Sequence, residues 1–241
     1  AAVGCLLINA FVWGVSWWPF RYLQDRGLHV LWATGLVFTA GTCLLLVLRR
    51  NALRHLLAAP GLLLLGTLMF WLLEHNNPGT LGKASFGGQW LAAFFQSTSA
   101  RTAGFNSIDI GQMVPASLLF MMMLMFVGAG ATSTGGGIKV TTFAVVLLAT
   151  KAFLTKRPHV TAFGRTLSPQ IVTRSLAIII VSTMVLMLAM FLLMLTEQQS
   201  FDKIMFETIS AFATVGLSTG ITAGLSEPGK LILVLVMICG R

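Results

Sequence analysis

Long apolar stretches separate short polar segments along the chain, a pattern typical of helices that cross a membrane. Four stretches contain no Asp, Glu, Lys or Arg, and a fifth contains only Arg174; they span Val3–Phe20, Leu28–Leu48, Leu56–Leu73, Val114–Val127 and Ile171–Leu195. Several reach the roughly 20 residues that a helix needs to span the hydrocarbon core of a bilayer. The sequence therefore predicts an all-α polytopic membrane protein with about six transmembrane helices.

The composition excludes two other classes of protein. Of the 241 residues, 56% are hydrophobic and only 10% are charged, whereas soluble domains carry about a quarter charged residues. A soluble enzyme and a disordered chain are both excluded, and we expect no enzymatic activity and no cofactor. The 3 Cys and 4 His are scattered singly, so neither a disulfide framework nor a metal cluster is expected.

The formal net charge of +9 arises mainly from loops between apolar stretches. Basic residues concentrate in residues 49–54 and 151–174, and loops rich in Lys and Arg remain in the cytoplasm. The more acidic stretches 74–113 and 196–230 then lie outside. The charge thus indicates orientation in a lipid bilayer, and no nucleic-acid partner is expected.

A glycine-rich segment interrupts one apolar region. Residues 114–154 as a continuous helix would extend about 60 Å, roughly twice the bilayer core, but residues 128–137 contain five glycines and precede Lys139. Irregular backbone at membrane depth survives only where protein or a water-filled cavity solvates it, so this segment is predicted to face a permeation path. It matches neither the phosphate-binding nor the dinucleotide-binding glycine motif. Lys139 either bonds carbonyls freed by the break or extends to the interface.

The two predicted outer stretches contain similar sequences, residues 95–105 and 206–217. Each pairs a short helical segment, near residues 89–99 and 203–212, with Thr-x-Gly followed by an apolar residue. A helix, a re-entrant half-helix, a glycine turn and a second helix form the arrangement of a cation-selective pore loop. Gly104 and Gly216 lack a Cβ atom and can adopt the unusual conformations that align carbonyl groups. Each motif alone could be an ordinary turn, but two copies in the same context favour pore loops.

Four motifs carry a resemblance to a known family: residues 73–80, 94–109, 133–143 and 210–220. Through them, residues from about 64 to 241 resemble the Trk/Ktr/HKT superfamily of potassium transporters. Members of this superfamily have four helix–pore-loop–helix repeats around one pore. This chain looks like the third repeat (64–154) and the fourth repeat (155–241, with a truncated last helix).

The resemblance also implies site residues and partners. The implied selectivity filter comprises Thr102, Ala103, Gly104, Phe105, Thr214, Val215, Gly216 and Leu217. The implied gate loop spans residues 128–139 and includes Gly128, Gly130, Gly135, Gly136, Gly137 and Lys139. Arg241 matches an arginine that projects into the pore, with a snorkelling terminal charge as the alternative. Such proteins usually form homodimers in the cell membrane and are controlled by a cytosolic nucleotide-binding ring.

Three charged residues near the two motifs, Arg101, Asp109 and Glu207, admit two interpretations. They either shape the outer mouth of the pore or are solvated or helix-end charges.

Residues 1–63 depart from this superfamily because they show two plain apolar helices and a basic loop instead of a pore loop. Residues 9–23 and 27–34 resemble the start of an EamA-type drug/metabolite transporter, and a diverged pair of helices is the alternative. The chain begins without Met and its last apolar stretch is short, so we expect a piece of a longer or misjoined protein. Potassium uptake is the leading hypothesis. The others are metabolite export and, since two pore loops cannot enclose a fourfold filter, a chain inactive alone.

Overall fold

A computed structural model describes residues 58–101, 104–128, 135–157, 159–162 and 165–240. The chain divides into two compact units at Pro60 and Gly61, and the description below concerns the second unit together with the start of its first helix. The predicted pair of plain helices in residues 1–63 lies almost wholly outside the described residues.

The first part of the described chain contains a short helix between two apolar helices. Helix α1 spans Ala58–Glu74, α2 spans Phe86–Ser99, a 3₁₀ turn spans Ile110–Gln112, and α3 spans Pro115–Phe126. Helix α2 begins where the Ser85 hydroxyl accepts a hydrogen bond from the Gly88 amide, as Ser does at many N-caps. Helix α3 begins at a proline, whose fixed φ suits the first helical turn.

The helix predicted to break does break. Helix α3 ends at Phe126 and the next helix, α4, spans Val140–Leu154. The two ends of the break lie side by side, since Val127 and Ile138 form a parallel bridge and the Gly128 amide donates to the Ile138 carbonyl over 2.9 Å. The two sides of the break are therefore held together at residues 127–128 and 138.

The same order of elements recurs in the second half. After a two-residue antiparallel pair, β1 Thr161–Ala162 and β2 Arg165–Thr166, helix α5 spans Pro169–Thr196. The short helix α6 spans Phe201–Phe212, a 3₁₀ turn spans Thr222–Gly224, and α7 spans Glu227–Cys239. The two short helices agree with those predicted near residues 89–99 and 203–212. The small strand pair in the basic loop was not predicted.

The short helix α6 lies at the centre of the packing. It contacts α3, α5 and α7, and α7 also packs along α5. Its side chains enter two apolar clusters, with Phe206 in a cluster that includes Met121 and Leu217, and Phe212 in a cluster that includes Leu193. Burial in both clusters fixes the C-terminal end of α6 and the turn that follows it.

One helix in the described part of the chain, α5, has the length and apolar composition needed to cross a membrane. Three other apolar helical stretches are shorter than 18 residues: Leu63–Glu74 within α1, Pro115–Phe126 and Val140–Leu154. The helical fold is as predicted, whereas helix length does not confirm about six spans. Helix α5 exposes large apolar side chains such as Ile180, Met187 and Leu195, and such a face is suited to lipid.

Candidate functional site

The two repeated motifs form two glycine turns, each at the C-terminal end of a short helix. Gly104 follows α2 with φ +71° and Gly216 follows α6 with φ +89°. Both lie in backbone without regular secondary structure. Positive φ values are strained for residues with a Cβ atom, which accounts for glycine at both positions.

A serine in the last turn of each short helix holds the chain beyond its glycine. The Ser99 hydroxyl donates to the Phe105 carbonyl, and the Ser210 hydroxyl donates to the Leu217 carbonyl over 2.6 Å. Phe105 and Leu217 each directly follow a glycine. Because both serines are buried, the same hydroxyl-to-carbonyl bond fixes the turn in both repeats.

The two glycine turns lie against each other. A Cβ atom built on Gly104 would overlap the Val215 carbonyl oxygen, and one built on Gly216 would lie 3.8 Å from the Gly104 Cα atom. Two segments more than 100 residues apart in sequence are thus in backbone contact. The C-terminal ends of α2 and α6, which carry the partial negative charge of the helix dipole, lead into this region.

The remaining residues of the implied filter differ in exposure. Val215 and Leu217 are buried, Phe105 is 68% exposed, and Thr214 has a positive φ of 52°. Positive φ at a β-branched residue marks strain that the surrounding contacts must offset. Thr102 and Ala103 lie outside the described residues.

The glycine-rich segment reaches the second turn. The Gly136 amide donates to the Thr214 hydroxyl over 2.8 Å, and the Gly137 amide donates to the Gly240 carbonyl over 3.0 Å. A Cβ atom on Gly136 would lie 2.8 Å from both the Cγ2 and the Oγ1 atoms of Thr214. The end of the glycine-rich segment, at Gly136 and Gly137, therefore contacts Thr214 in the second turn and Gly240 at the end of α7. Gly130 and Arg241 lie outside the described residues.

Lys139 bonds the glycine-rich segment, one of the two alternatives that the sequence left open. Its Nζ atom donates to the Gly135 carbonyl over 2.6 Å. The ammonium group thus satisfies a carbonyl freed by the break before α4 begins at Val140.

The three charged residues near the motifs have different environments. Glu207, 5% exposed, accepts hydrogen bonds from Ser218, Thr219 and Thr222. It is therefore a buried acceptor for the segment beyond Gly216 and not a solvated charge. Asp109 is exposed and caps the 3₁₀ turn by accepting from the Gly111 amide over 3.0 Å. Arg101 is half-buried, and its Nε atom has no hydrogen-bond partner.

Sequence reasoning missed four residues that make long-range contacts within the two repeats: Ser99, Ser210, Glu74 and Glu197. The two serines could have been found from the repeat, because aligning Phe95 with Phe206 and Gly104 with Gly216 also pairs Ser99 with Ser210. Glu74 is the last residue of α1 and Glu197 directly follows the last residue of α5, and only the folded chain shows what they contact.

A helical chain with two matched helix–glycine-turn repeats that meet belongs to the class of α-helical membrane transport proteins. A family model described as "TrkH: Cation transport protein" matches residues 23–241. The chain therefore belongs to the TrkH family of cation transport proteins, which are integral membrane proteins.

Relatives and a solved structure agree with this membership. The chain is 64% identical over 186 residues to "Ktr system potassium uptake protein B" of Vibrio alginolyticus, an alignment that covers 77% of this chain and 41% of that protein. It is 38% identical over 242 residues to the protein of the same name from Bacillus subtilis (strain 168), covering 95% and 54% respectively. The crystal structure of the potassium transporter TrkH from Vibrio parahaemolyticus shares the fold, with a TM-score of 0.64, 21% identity and coverage of 77% of this chain and 41% of that chain.

The chain spans about half the length, or less, of these relatives. The relatives are named as uptake proteins, in keeping with the expectation that the chain is not an enzyme. The family match begins at residue 23 and so includes much of residues 1–63. A metabolite exporter is consequently not favoured, although the boundary near residue 63 stays a prediction.

Proposed function

We propose that this chain forms half of the pore of a transporter that takes up K⁺ through a glycine-lined selectivity filter. The observation that carries the proposal is the backbone contact between the turns at Gly104 and Gly216. It is supported by the matched Ser99 and Ser210 hydrogen bonds and by the names of the potassium uptake relatives.

The filter would work by replacing water with carbonyl oxygens. A cation that sheds its hydration shell needs several carbonyl groups directed into one narrow path. The residues around the two glycines, 102–105 and 214–217, would line that path as re-entrant loops, each supplying a quarter of the ring. The short helices would direct their partly negative ends toward the ion.

The glycine-rich segment would act as a gate beneath the filter. Its contact with Thr214 and with the end of α7, and the bond from Lys139 to Gly135, support this role. Arg241 would add a positive charge within the pore that repels cations when the gate is closed.

The assembly and location follow from the same proposal. We expect the complete transporter to be a homodimer in the cell membrane, crossing it several times, with a cytosolic nucleotide-binding ring as regulator. Transport of K⁺ would involve no covalent chemistry.

The test is uptake by a completed transporter, defined as a chimaera in which this chain replaces its aligned segment in the V. alginolyticus relative. It would be expressed in cells that lack their own K⁺ uptake systems, and ⁸⁶Rb⁺ and K⁺ uptake would be measured. We expect growth at low K⁺ and saturable Rb⁺ uptake that excess Na⁺ does not abolish. Membrane-inserted chimaera without such uptake would contradict the proposal.

A further inference from the structure

Two glutamates, the buried Glu74 and the half-buried Glu197, occupy equivalent places in the two repeats. Glu74 is the last residue of α1, the helix before α2, and Glu197 directly follows the last residue of α5, the helix before α6. Glu74 is 0% exposed. A carboxylate at the C-terminal end of a helix meets the negative end of the helix dipole, so neither position is favourable for its own helix.

Each carboxylate is bonded across the repeat to the start of the helix that follows the glycine turn, α3 in the first repeat and α7 in the second. Glu74 Oε1 accepts from the amide of Val114, the N-cap of α3, over 2.9 Å. Glu197 accepts from the amide of Ser226, the N-cap of α7, at 3.1 Å and 3.3 Å to its two oxygens. The negative charge thus sits at the positive end of the later helix, where the dipole stabilises it.

Further donors complete each contact. In the first repeat, Asn77 and Thr80 donate to Glu74 Oε2 at 2.7 Å and 2.6 Å. In the second, the Ser226 hydroxyl also donates to Glu197. These bonds offset the cost of removing a carboxylate from water.

The packing around Glu197 leaves no space for a side chain at position 229. Gly229 lies in the first turn of α7, and a Cβ atom there would overlap the Glu197 carboxylate. The absence of a side chain at Gly229 therefore lets the carboxylate reach the helix start.

We infer that Glu74 and Glu197 are paired positioning residues, each closing its repeat so that the short helix and the glycine turn within that repeat are held in place. The contact joins residues 40 apart in the first repeat and 29 apart in the second. In each repeat, one carboxylate joins the two ends of the segment that contains the short helix and its glycine, Gly104 or Gly216. The expected effect on transport rests on the proposed function: if the turns form a selectivity filter, a loosened turn discriminates poorly between K⁺ and Na⁺.

The first experiment tests the contacts of Glu74 with Val114 and of Glu197 with Ser226 and requires no transport assay. Amide hydrogen–deuterium exchange of the chain in detergent would compare wild type with Glu74→Gln and Glu197→Gln. The glutamine amide group would face a donor in place of one carboxylate oxygen, so we expect at least about tenfold faster exchange at Val114 in the first variant and at Ser226 in the second, corresponding to about 1.4 kcal/mol. Glu227→Gln is the matched control, because Glu227 follows Ser226 but is 85% exposed at its side chain.

A milder pair of variants guards against misfolding. Thr80→Val removes one donor to Glu74, and Gly229→Ala displaces the Glu197 carboxylate. We expect the same local increases in exchange, each confined to its own repeat. Wild-type exchange at Val114 and Ser226 in all four variants would overturn the inference.

The second experiment uses the completed transporter. At equal membrane abundance, both Glu→Gln variants should raise the KM for K⁺ and lower the ratio of K⁺ to Na⁺ uptake, while Glu227→Gln should not. Lower abundance with an unchanged uptake ratio would indicate a purely structural role and overturn the positioning role. If the parent chimaera carries no K⁺, the proposed function fails, while the exchange measurement still decides whether the contacts exist.

Discussion

Gly104 lies against the carbonyl group of Val215, so close that even a methyl group on Gly104 would overlap the oxygen. The two residues belong to different repeats, and their contact is where the two glycine turns meet. Gly216, the neighbour of Val215, has more room, since its nearest atom would be the Gly104 Cα at 3.8 Å. The two glycines are therefore alike in backbone conformation but differ in the space around them.

This difference predicts unequal effects of one substitution. Gly216→Ser meets mainly the strain of a side chain at positive φ, on the order of 1–2 kcal/mol, whereas Gly104→Ser adds a steric overlap with backbone. We expect both to reduce Rb⁺ uptake or K⁺/Na⁺ discrimination in the completed transporter, and Gly104→Ser to be the more severe at equal membrane abundance.

Two other glycines supply the controls. Gly220 has φ +96° with nothing near its Cβ position, and Gly224 has open space without a positive φ. Gly220→Ala isolates the backbone strain, and Gly224→Ala should leave transport unchanged. Equal uptake and selectivity in Gly216→Ser and wild type would contradict a role of this glycine in the filter.

The paired serines predict a second result. Ser99→Ala and Ser210→Ala each remove a hydroxyl that fixes a carbonyl next to a glycine, at a cost of about 1 kcal/mol. We expect lower K⁺/Na⁺ discrimination in both, and a greater loss in the double variant, measured by competition of Na⁺ with Rb⁺ uptake.

Thr98 is the control for the serine variants. Its hydroxyl bonds the Phe94 carbonyl within α2, over 2.9 Å. Thr98→Ala should therefore keep the wild-type uptake ratio. A similar loss in Thr98→Ala and Ser99→Ala would show that the helix, and not the hydroxyl-to-carbonyl bond, is responsible.

The helix break and the short helices could be predicted from sequence because their causes are local. Glycines in residues 128–137 and the repeated Thr-x-Gly motif act on their own segment of backbone. For Lys139 the sequence left two alternatives open, because its long flexible side chain can reach either a backbone carbonyl or the membrane interface.

The contacts between distant segments could not be predicted in the same way. The overlap between Gly104 and Val215, the bond from Gly136 to Thr214 and the contacts of Glu74 depend on how the helices pack. Glu207 illustrates the difference: its sequence position at a short helix suggested a charge at the mouth or in solvent, whereas packing buries it under residues 218–222.

Lys139 yields a third prediction. Lys139→Met keeps most of the side-chain length but removes the ammonium group that donates to Gly135. A hydrogen bond from a charged group contributes about 1.5–3 kcal/mol, so the glycine-rich segment should be held less firmly at Gly135. We expect higher basal Rb⁺ flux in the completed transporter, with Lys139→Arg close to wild type.

The basic loop offers a control for charge alone. Lys156 is exposed and lies after the end of α4, so Lys156→Met removes the same charge away from the glycine-rich segment. Increased flux in Lys156→Met equal to that in Lys139→Met would show that net charge, and not the bond to Gly135, controls the flux.

The contact between Gly136 and Thr214 predicts non-additive variants. Gly136→Ala places a methyl group against the Thr214 Cγ2 and Oγ1 atoms, and we expect it to impair uptake by displacing the glycine-rich segment or the turn. Thr214→Ala removes both atoms, but it also leaves the Gly136 amide without its acceptor, at a cost of about 1–3 kcal/mol. Because the double variant relieves the overlap, its loss of uptake should be smaller than the sum of the two single losses, as expected for residues in contact.

Thr214→Ser keeps the acceptor and should retain most of the activity. The measurement is a double-mutant cycle on initial Rb⁺ uptake rates at equal membrane abundance, and strictly additive effects would show that the glycine-rich segment and the filter act independently.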